Sequence, residues 1–586
     1  MPHLSSESSD IPIRRYPLRL VAKQYLQYLW SNRWIYCTIA LLGMLVCFQF
    51  VDHERFFYYW DTANFYDLSL NMQQAFHVSV YRALRHVARS MSEDYNSAFA
   101  APVLPFFEAF GNHRSVFIAA SYLLFLFPTA LFAGTVTSLA FPANRKRAAL
   151  VGCLMFMCVP ISWHSTLRGY PDCGGAMFVY AAVWIYLSRD NLLHWKDAVW
   201  LGALMGASIL FRRHYIYGAA ALSGSIAIDL LLRYRLDSES TLSLTLLRFR
   251  NLAISLFVCA ALVTATAPKF VWRSLKMASG GYPSAYVAYQ YTRTVSALEI
   301  LRNNSLILVS FALLGYVAVR SWTGQNRTIR FVLLLAALWT FVWLGFVRQE
   351  TSHYPHAIPL FVSLGLTCLW LKAETLSRSV RPIALSGISL LLALHFVYIT
   401  SATRLSLWLD SHLPARVQPL NARPLVNPTY DDTVRLIDYL RQHTTPKDTV
   451  VVGASSDLLN PSLLTAAARA SHRAEQLHIA DTPQVDERDG LPTSQILAGD
   501  YILVAKPFQH HLESSHQRTV KVIVDMFEEH WPISRDFELL PDTLALNAPD
   551  GRIEIFVYKR LRKSSPETSS DTYERIVRYF RQSAPA

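Results

Sequence analysis

Apolar residues in this chain come in long runs separated by short polar stretches rich in arginine. The runs are 34–51, 115–133, 149–161, 176–187, 198–211, 215–232, 252–266, 306–319, 331–347, 357–371 and 383–399. A helix needs about 20 apolar residues to cross a hydrocarbon core roughly 30 Å thick. The shorter runs reach that length only with the Tyr, Trp and His residues at their ends, or by lying among other helices. The pattern predicts a polytopic α-helical membrane protein of about eleven transmembrane helices, with the count soft by one or two. Two stretches depart from it. Residues 52–114 form a long first loop whose aromatic density and helical pattern through 81–91 predict short amphipathic helices at the membrane surface. Beyond Thr400, a linker over 401–428 precedes alternating helical and strand patterns: helices at 433–442, 461–470 and 517–530, strands at 449–453, 501–505 and 553–559. That alternation predicts a C-terminal α/β soluble domain over 429–586.

Charge fixes the sidedness. The hydrophobic share is 52%, charged residues make up 17%, and the formal net charge is +13. The basic residues are spread between spans rather than gathered on a soluble face, which excludes nucleic acid as the partner. With residues 1–33 inside, alternation across the spans places Arg145-Lys146-Arg147, Arg189, Lys196, Arg233, Arg235, Arg248, Arg250, Arg320, Arg327, Arg330, Lys372, Arg378 and Arg381 in inner connections. Cytoplasmic loops carry such an excess of Lys and Arg. An odd number of spans then puts the 52–114 loop and the C-terminal domain outside. Met1–Arg33 is too polar for a cleaved signal peptide, so the first span is expected to double as a signal-anchor. All seven cysteines lie in or beside spans, which offers neither a disulfide framework nor a zinc pattern.

The outer side carries the candidate chemistry. Asp61, shortly after the first span and flanked by Tyr58, Tyr59, Trp60, Phe65 and Tyr66, is a carboxylate at the lipid–water boundary. Such a group can take a proton from a hydroxyl, or simply be solvated near a helix start. Glu93 and Asp94 at the far end of the loop can supply a second acid or oxygen ligands for Mg²⁺ or Mn²⁺, or can be solvated too. Arg168, in Arg168-Gly169-Tyr170-Pro171-Asp172, is placed to meet an anionic headgroup. Arg212, Arg213 and His214 stand outside between two apolar runs, against the positive-inside bias, which favours a lipid phosphate partner over snorkelling. The junction from Arg348 to His356 mixes a cation, Glu350, His353 and His356. Ser455-Ser456-Asp457 after a strand reads as a ligand-facing turn or a helix cap.

Together, Tyr59-Trp60-Asp61, the stretch from Asp94-Tyr95-Asn96 to Pro102-Val103-Leu104-Pro105-Phe106-Phe107 and Phe110-Gly111, Gly169-Tyr170-Pro171-Asp172 and His353-Tyr354-Pro355 resemble a GT-C glycosyltransferase. The resemblance is to the superfamily of protein O-mannosyltransferases and lipid A aminoarabinose transferases, and it covers residues 34–400, the GT-C-like membrane domain. It implies a polyprenyl-phosphate sugar donor and transfer to a glycan, lipid or protein acceptor outside the cytoplasm. It also implies that Asp61 is the general base, with inversion at the anomeric carbon, and that Glu93 or Asp94 is the second acidic site. Arg212, Arg213 and Arg348 become candidates for the leaving phosphate, with Lys269, Arg273 and His353 nearby, and Tyr282, Tyr286 and Tyr289 as cavity walls. Thr62 stands where a second acidic residue commonly follows the first, which leaves dependence on Mg²⁺ or Mn²⁺ open. The expected location is a bacterial inner membrane with the C-terminal domain periplasmic. A transporter or lipid-linked glycan flippase, an O-antigen ligase or polymerase, and a noncatalytic envelope-assembly protein are the rival readings. No internal repeat of the transporter kind is visible.

Overall fold

A computed structural model describes residues 29–30, 32–93, 95–189, 192–236, 241–276, 287–319, 326–349, 357–414, 418–470, 477–542 and 544–582. Each apolar run falls on a helix or a broken pair of helices. Among the described residues, seven helices are long and apolar enough to cross a membrane, or up to nine if two bent pairs each count as one span. One pair, Pro142–Met157 and Pro160–Leu167, bends by 60°. Its break follows from Pro160, which disfavours helical backbone in the residue before it, and Val159 is extended there. The other pair, Arg293–Asn303 and Leu306–Ala318, turns by 80° at Ser305, whose φ is +63° and whose hydroxyl caps the second helix. The remaining two runs lie on Asp172–Ser188 and Trp195–Phe211, helices of 17 residues each. At a rise of about 1.5 Å per residue these are a few ångströms short of a full span, so the eleven of the sequence reading includes two helices that length alone does not qualify.

Small residues let these helices approach closely. A Cβ at Gly202 would sit 2.2 Å from the carbonyl oxygen of Ser255, and one at Gly315 would sit 2.0 Å from that of Gly365. Where lipid tails are as apolar as the side chains, such backbone approach supplies the packing that holds helices together.

The long first loop is helical. Trp60–Val78 ends at Ser79, whose hydroxyl accepts from the Arg82 backbone N–H at 3.1 Å and so starts Val80–Ser90. That second helix buries Ala83, exposes Val80, Tyr81 and Leu84, and carries Arg82, Arg85 and Arg89, a composition suited to a lipid headgroup boundary. Ala100–Phe110 then returns toward the bundle.

The C-terminal domain is built on a mixed sheet. Strands β1 (Thr449–Gly453), β2 (His478–Ile479), β3 (Tyr501–Lys506), β4 (Phe537–Leu539), β5 (Leu544–Ala548) and β6 (Gly551–Arg560) run in the order β2-β1-β3-β6-β4, with β5 also on β6. The β1–β2 and β1–β3 pairs are parallel, and β6 is antiparallel to its partners. Helices Tyr430–His443 and Pro461–Ala470 pack on one face, Arg518–Glu528 and Pro566–Gln582 on the other. With both faces covered, β3 buries Tyr501 through Ala505 in succession, which is why it reads as an unbroken apolar run.

This domain and the linker before it sit on the long first loop. The Arg55 backbone N–H donates to the Leu425 carbonyl, and the Arg55 carbonyl accepts from Asn427, both at 2.9 Å. Phe57 stacks on Tyr430 with centroids 4.2 Å apart, and Arg469 pairs with Asp67.

Candidate active site

The Trp60–Val78 helix sets Asp61 in its first turn and Phe65 one turn later on the same face. The Tyr95 hydroxyl donates to Asp61 Oδ1 at 2.6 Å. Below it, the buried Phe65 ring meets Tyr95, Phe99 and Tyr170 edge-on, with centroids 5.4–5.9 Å apart. The Arg212 guanidinium lies 4.6 Å above the same Phe65 ring and 5.9 Å from the Tyr95 ring. Arg212 therefore approaches the acid from the bundle side, its charge facing aromatic rings rather than lipid.

Arg212 is held from behind. Its Nε donates to Asp172 Oδ1 at 3.0 Å, and His214 Nε2 lies 3.5 Å from the same oxygen. The Tyr215 hydroxyl donates to the Asp172 carbonyl at 2.8 Å. The Asp172 side chain is fully buried, and its Oδ2 has no hydrogen-bond partner among the described residues. Asp61 is close enough to Asp172 for the two carboxylates to repel. The Arg212 guanidinium is thus held by the buried acid and lies over the ring one turn along the helix from Asp61.

The other predicted cations do different work. Arg213 donates to the carbonyls of Met91 and Glu93, the latter at 3.2 Å, and lies over Phe270 at 4.4 Å. Arg273 donates to the Ser92 carbonyl. These two arginines grip the backbone of the acidic turn, while Glu93 itself is exposed. Arg348 has a left-handed backbone with φ +53°, and its Nη2 donates to Gln290 Oε1 at 2.8 Å. Its carbonyl accepts from the Tyr291 N–H at 2.8 Å, which ties the two outer junctions together. Lys269 is exposed. Asp94, Tyr282, Tyr286, Glu350, His353 and His356 lie outside the described residues. Among the described residues, no three His, Cys, Asp or Glu side chains gather as a metal site.

One cluster was missed in the sequence. Glu54, just past the first span, has a 5% exposed side chain and lies 3.6 Å from both Arg114 and Arg168. It also accepts a hydrogen bond from Tyr58. Burial raises its carboxyl above the ordinary range, and the Arg114 and Arg168 charges oppose that shift without reversing it. Arg168 also donates to the Arg423 carbonyl at 2.8 Å, so it joins the first loop to the linker behind the soluble domain. An acid at the end of an apolar run, beside an arginine-bearing outer turn, was the available signal. The soluble domain reaches the same region near Asp457, whose charge acts on Tyr59, while Ser455 is buried and donates to Gln484 at 2.8 Å.

Neither a family model nor a curated protein matches the chain. Solved structures are similar to it, among them two of one protein. The crystal structure of ArnT from Cupriavidus metallidurans in the apo state aligns with a TM-score of 0.49 at 14% identity, over 92% of this chain and 99% of that one. The structure of the same protein bound to undecaprenyl phosphate aligns with a TM-score of 0.47 at 13% identity, over 90% of this chain and 98% of that one.

Proposed function

We propose that this chain is an integral membrane glycosyltransferase that moves a sugar from a polyprenyl-phosphate donor to a hydroxyl-bearing acceptor on the outer side of the membrane. The observation that carries the reading is the approach of Asp61 to the buried Arg212–Asp172 pair across Phe65, where the membrane bundle meets the soluble domain. Asp61 Oδ1 accepts from Tyr95, which leaves Oδ2 to take the acceptor's hydroxyl proton. The acceptor oxygen bonds to the anomeric carbon as the bond from that carbon to the phosphate oxygen breaks. The electron pair stays on the departing polyprenyl phosphate. Direct displacement inverts the anomeric centre. Arg212, held by Asp172, compensates the charge that develops on the phosphate. Arg213 and Arg273 keep the turn that carries Glu93 in place. The acceptor is a glycan, lipid or protein of the envelope, and the soluble domain forms the wall against which it lies.

The test is sugar transfer in proteoliposomes supplied with radiolabelled polyprenyl-phosphate sugars. Asp61→Asn keeps the hydrogen bond from Tyr95 but removes the base. Transfer is expected to fall on the order of 10³-fold with an unchanged thermal midpoint. Full activity in that variant sinks the mechanism, and movement of intact glycolipid without bond cleavage transfers the protein to the flippase reading.

A further inference from the structure

The residue before Asp61 is held by the soluble domain rather than by the membrane bundle. Trp60 has φ +49°, a left-handed backbone that a bulky side chain rarely adopts and that persists only where surroundings hold it. Three contacts hold it. Its backbone N–H donates to Ser462 Oγ at 2.9 Å, its indole Nε1 donates to Gln484 Oε1 at 2.9 Å, and its ring lies 4.4 Å from the His511 imidazole. All three partners belong to the C-terminal domain, more than 400 residues along the chain. They are themselves fixed. Gln484 Oε1 also accepts from Ser455 Oγ at 2.8 Å, and its carbonyl accepts from Gln517 Nε2 at 2.8 Å. Gln517 Nε2 lies 3.1 Å from His511 Nδ1, and Gln517 Oε1 accepts from the His511 backbone N–H at 2.9 Å.

We propose that Ser462, Gln484 and His511 are positioning residues for the transfer reaction, acting through Trp60 to hold the Asp61 carboxylate in its reactive place. The inference rests on the reading of Asp61 as the base. The physical link is short. Asp61 is the next residue in the chain, and a peptide unit turned about a left-handed φ fixes the direction in which the helix starts. Without the indole and backbone acceptors, Trp60 relaxes to negative φ, and the first turn of the helix carries Asp61 away from Tyr95 and Arg212. A general base displaced by about 1 Å loses on the order of 100-fold in rate. The Arg469–Asp67 ion pair and the Phe57–Tyr430 stack hold the two bodies together on either side, so loss of one contact to Trp60 does not undock the domain. The soluble domain thereby supplies part of the active site without touching the reacting atoms.

A double-mutant cycle tests this in the full-length protein, reconstituted with the polyprenyl-phosphate sugar that the unaltered chain uses. Trp60→Phe and Gln484→Leu each remove one side of the indole hydrogen bond. Each is expected to lower kcat about 10–100-fold with the donor KM held within about twofold, the mark of a loss confined to the transition state. The double variant is expected to be no slower than the worse single one, because both remove the same contact. Gln484→Glu keeps an acceptor and is expected to restore most of kcat. Wild-type kcat in either single variant overturns the proposal, as do multiplied losses in the double variant or a rise in KM alone. Asp61→Asn, run alongside, separates the two levels. If it is inactive while Trp60→Phe is unimpaired, the positioning role fails and the functional reading stands. If it is fully active, or if the unaltered chain transfers no sugar, the functional reading fails and takes the positioning role with it.

Discussion

Two carboxylates on helices of the membrane domain sit at opposite ends of it, and their surroundings differ in kind. Asp229, toward the C-terminal end of Tyr215–Leu236, the inner end relative to the soluble domain, has a side chain 1% exposed. Its Oδ2 accepts from the Tyr186 hydroxyl at 2.7 Å and from Arg327 at 3.1 and 3.0 Å, and Arg330 stands 3.8 Å from Oδ1. Asp61, at the outer end, is partly exposed and, among the described residues, accepts a single side-chain hydrogen bond, from Tyr95. Both lie near arginines, so the fold sets a carboxylate beside arginine twice. The inner acid is enclosed by donors and holds helices together. The outer acid keeps lone pairs for a reactant. Access of a reactant to the carboxylate, rather than its charge or its arginine neighbours, separates structure from chemistry here.

Exchanging each acid for its amide is the hardest test of that contrast. Asp61→Asn is expected to abolish transfer, a loss on the order of 10³-fold, and to leave stability alone. Asp229→Asn is expected to do the reverse. It leaves two guanidinium groups without their countercharge at a site where Arg327 and Arg330 are 23% and 33% exposed. Breaking a buried pair costs roughly 3–5 kcal/mol, and partial solvent access brings this down to about 2 kcal/mol. The thermal midpoint in detergent should fall by a few degrees while turnover per folded molecule is kept. If both variants lose activity in proportion to stability, the two acids are alike and the comparison breaks.

What the sequence revealed follows the same line. Apolar runs mark buried helices because lipid and neighbouring helices impose one rule over many residues, and each run reappeared on a helix. The strands at 449–453 and 501–505 were legible for the same reason: both faces of the sheet are covered. Strands β4 and β5 were not foreseen. They are short and half exposed on the β6 side of the sheet, where register rather than apolarity defines them. At the site, Asp61 and Arg212 stood out as charges beside the membrane. Their tie through Phe65 and Tyr95, the Glu54 cluster and the hold on Trp60 joins positions tens to hundreds of residues apart, and no local pattern encodes such a tie. Arg213 looked like Arg212 in the sequence but spends its donors on backbone carbonyls.

That difference between neighbouring arginines gives a finer test. Arg212→Lys keeps the charge beside Asp172 and loses the flat face over Phe65 and the Nε–H donated to Asp172. Transfer efficiency, read as kcat/KM for the donor, is expected to fall on the order of 10–100-fold with little change in thermal midpoint. Arg213→Lys is expected to affect stability of the 91–95 turn more than turnover, read as faster proteolysis of the first outer loop. Equal losses of kcat/KM in the two variants remove the assignment of Arg212 to the leaving phosphate.

The smallest effect concerns pH, and it again sets the outer cleft apart from the inner cluster. The inner cluster is made of Asp, Arg and Tyr side chains, whereas the outer cleft includes a histidine, His511 against Trp60. Burial lowers the His511 pKa below its ordinary value. Contact with the Ser455 carbonyl and the Asp457 charge oppose that shift, and the Arg488 and His510 charges add to it. A histidine lowered in the fold binds fewer protons there than in the unfolded chain. Its contribution to stability is complete above about pH 6.5 and is lost as pH falls from there through the folded value. Acidification from pH 7.5 to 5.5 is therefore expected to lower the thermal midpoint of the unaltered chain, and His511→Asn is expected to flatten that slope. The variant that removes the inner acid, Asp229→Asn, should keep the wild-type slope from a lower starting point. A His511→Asn slope equal to that of the unaltered chain would show that the imidazole against Trp60 does not carry the pH response of the cleft.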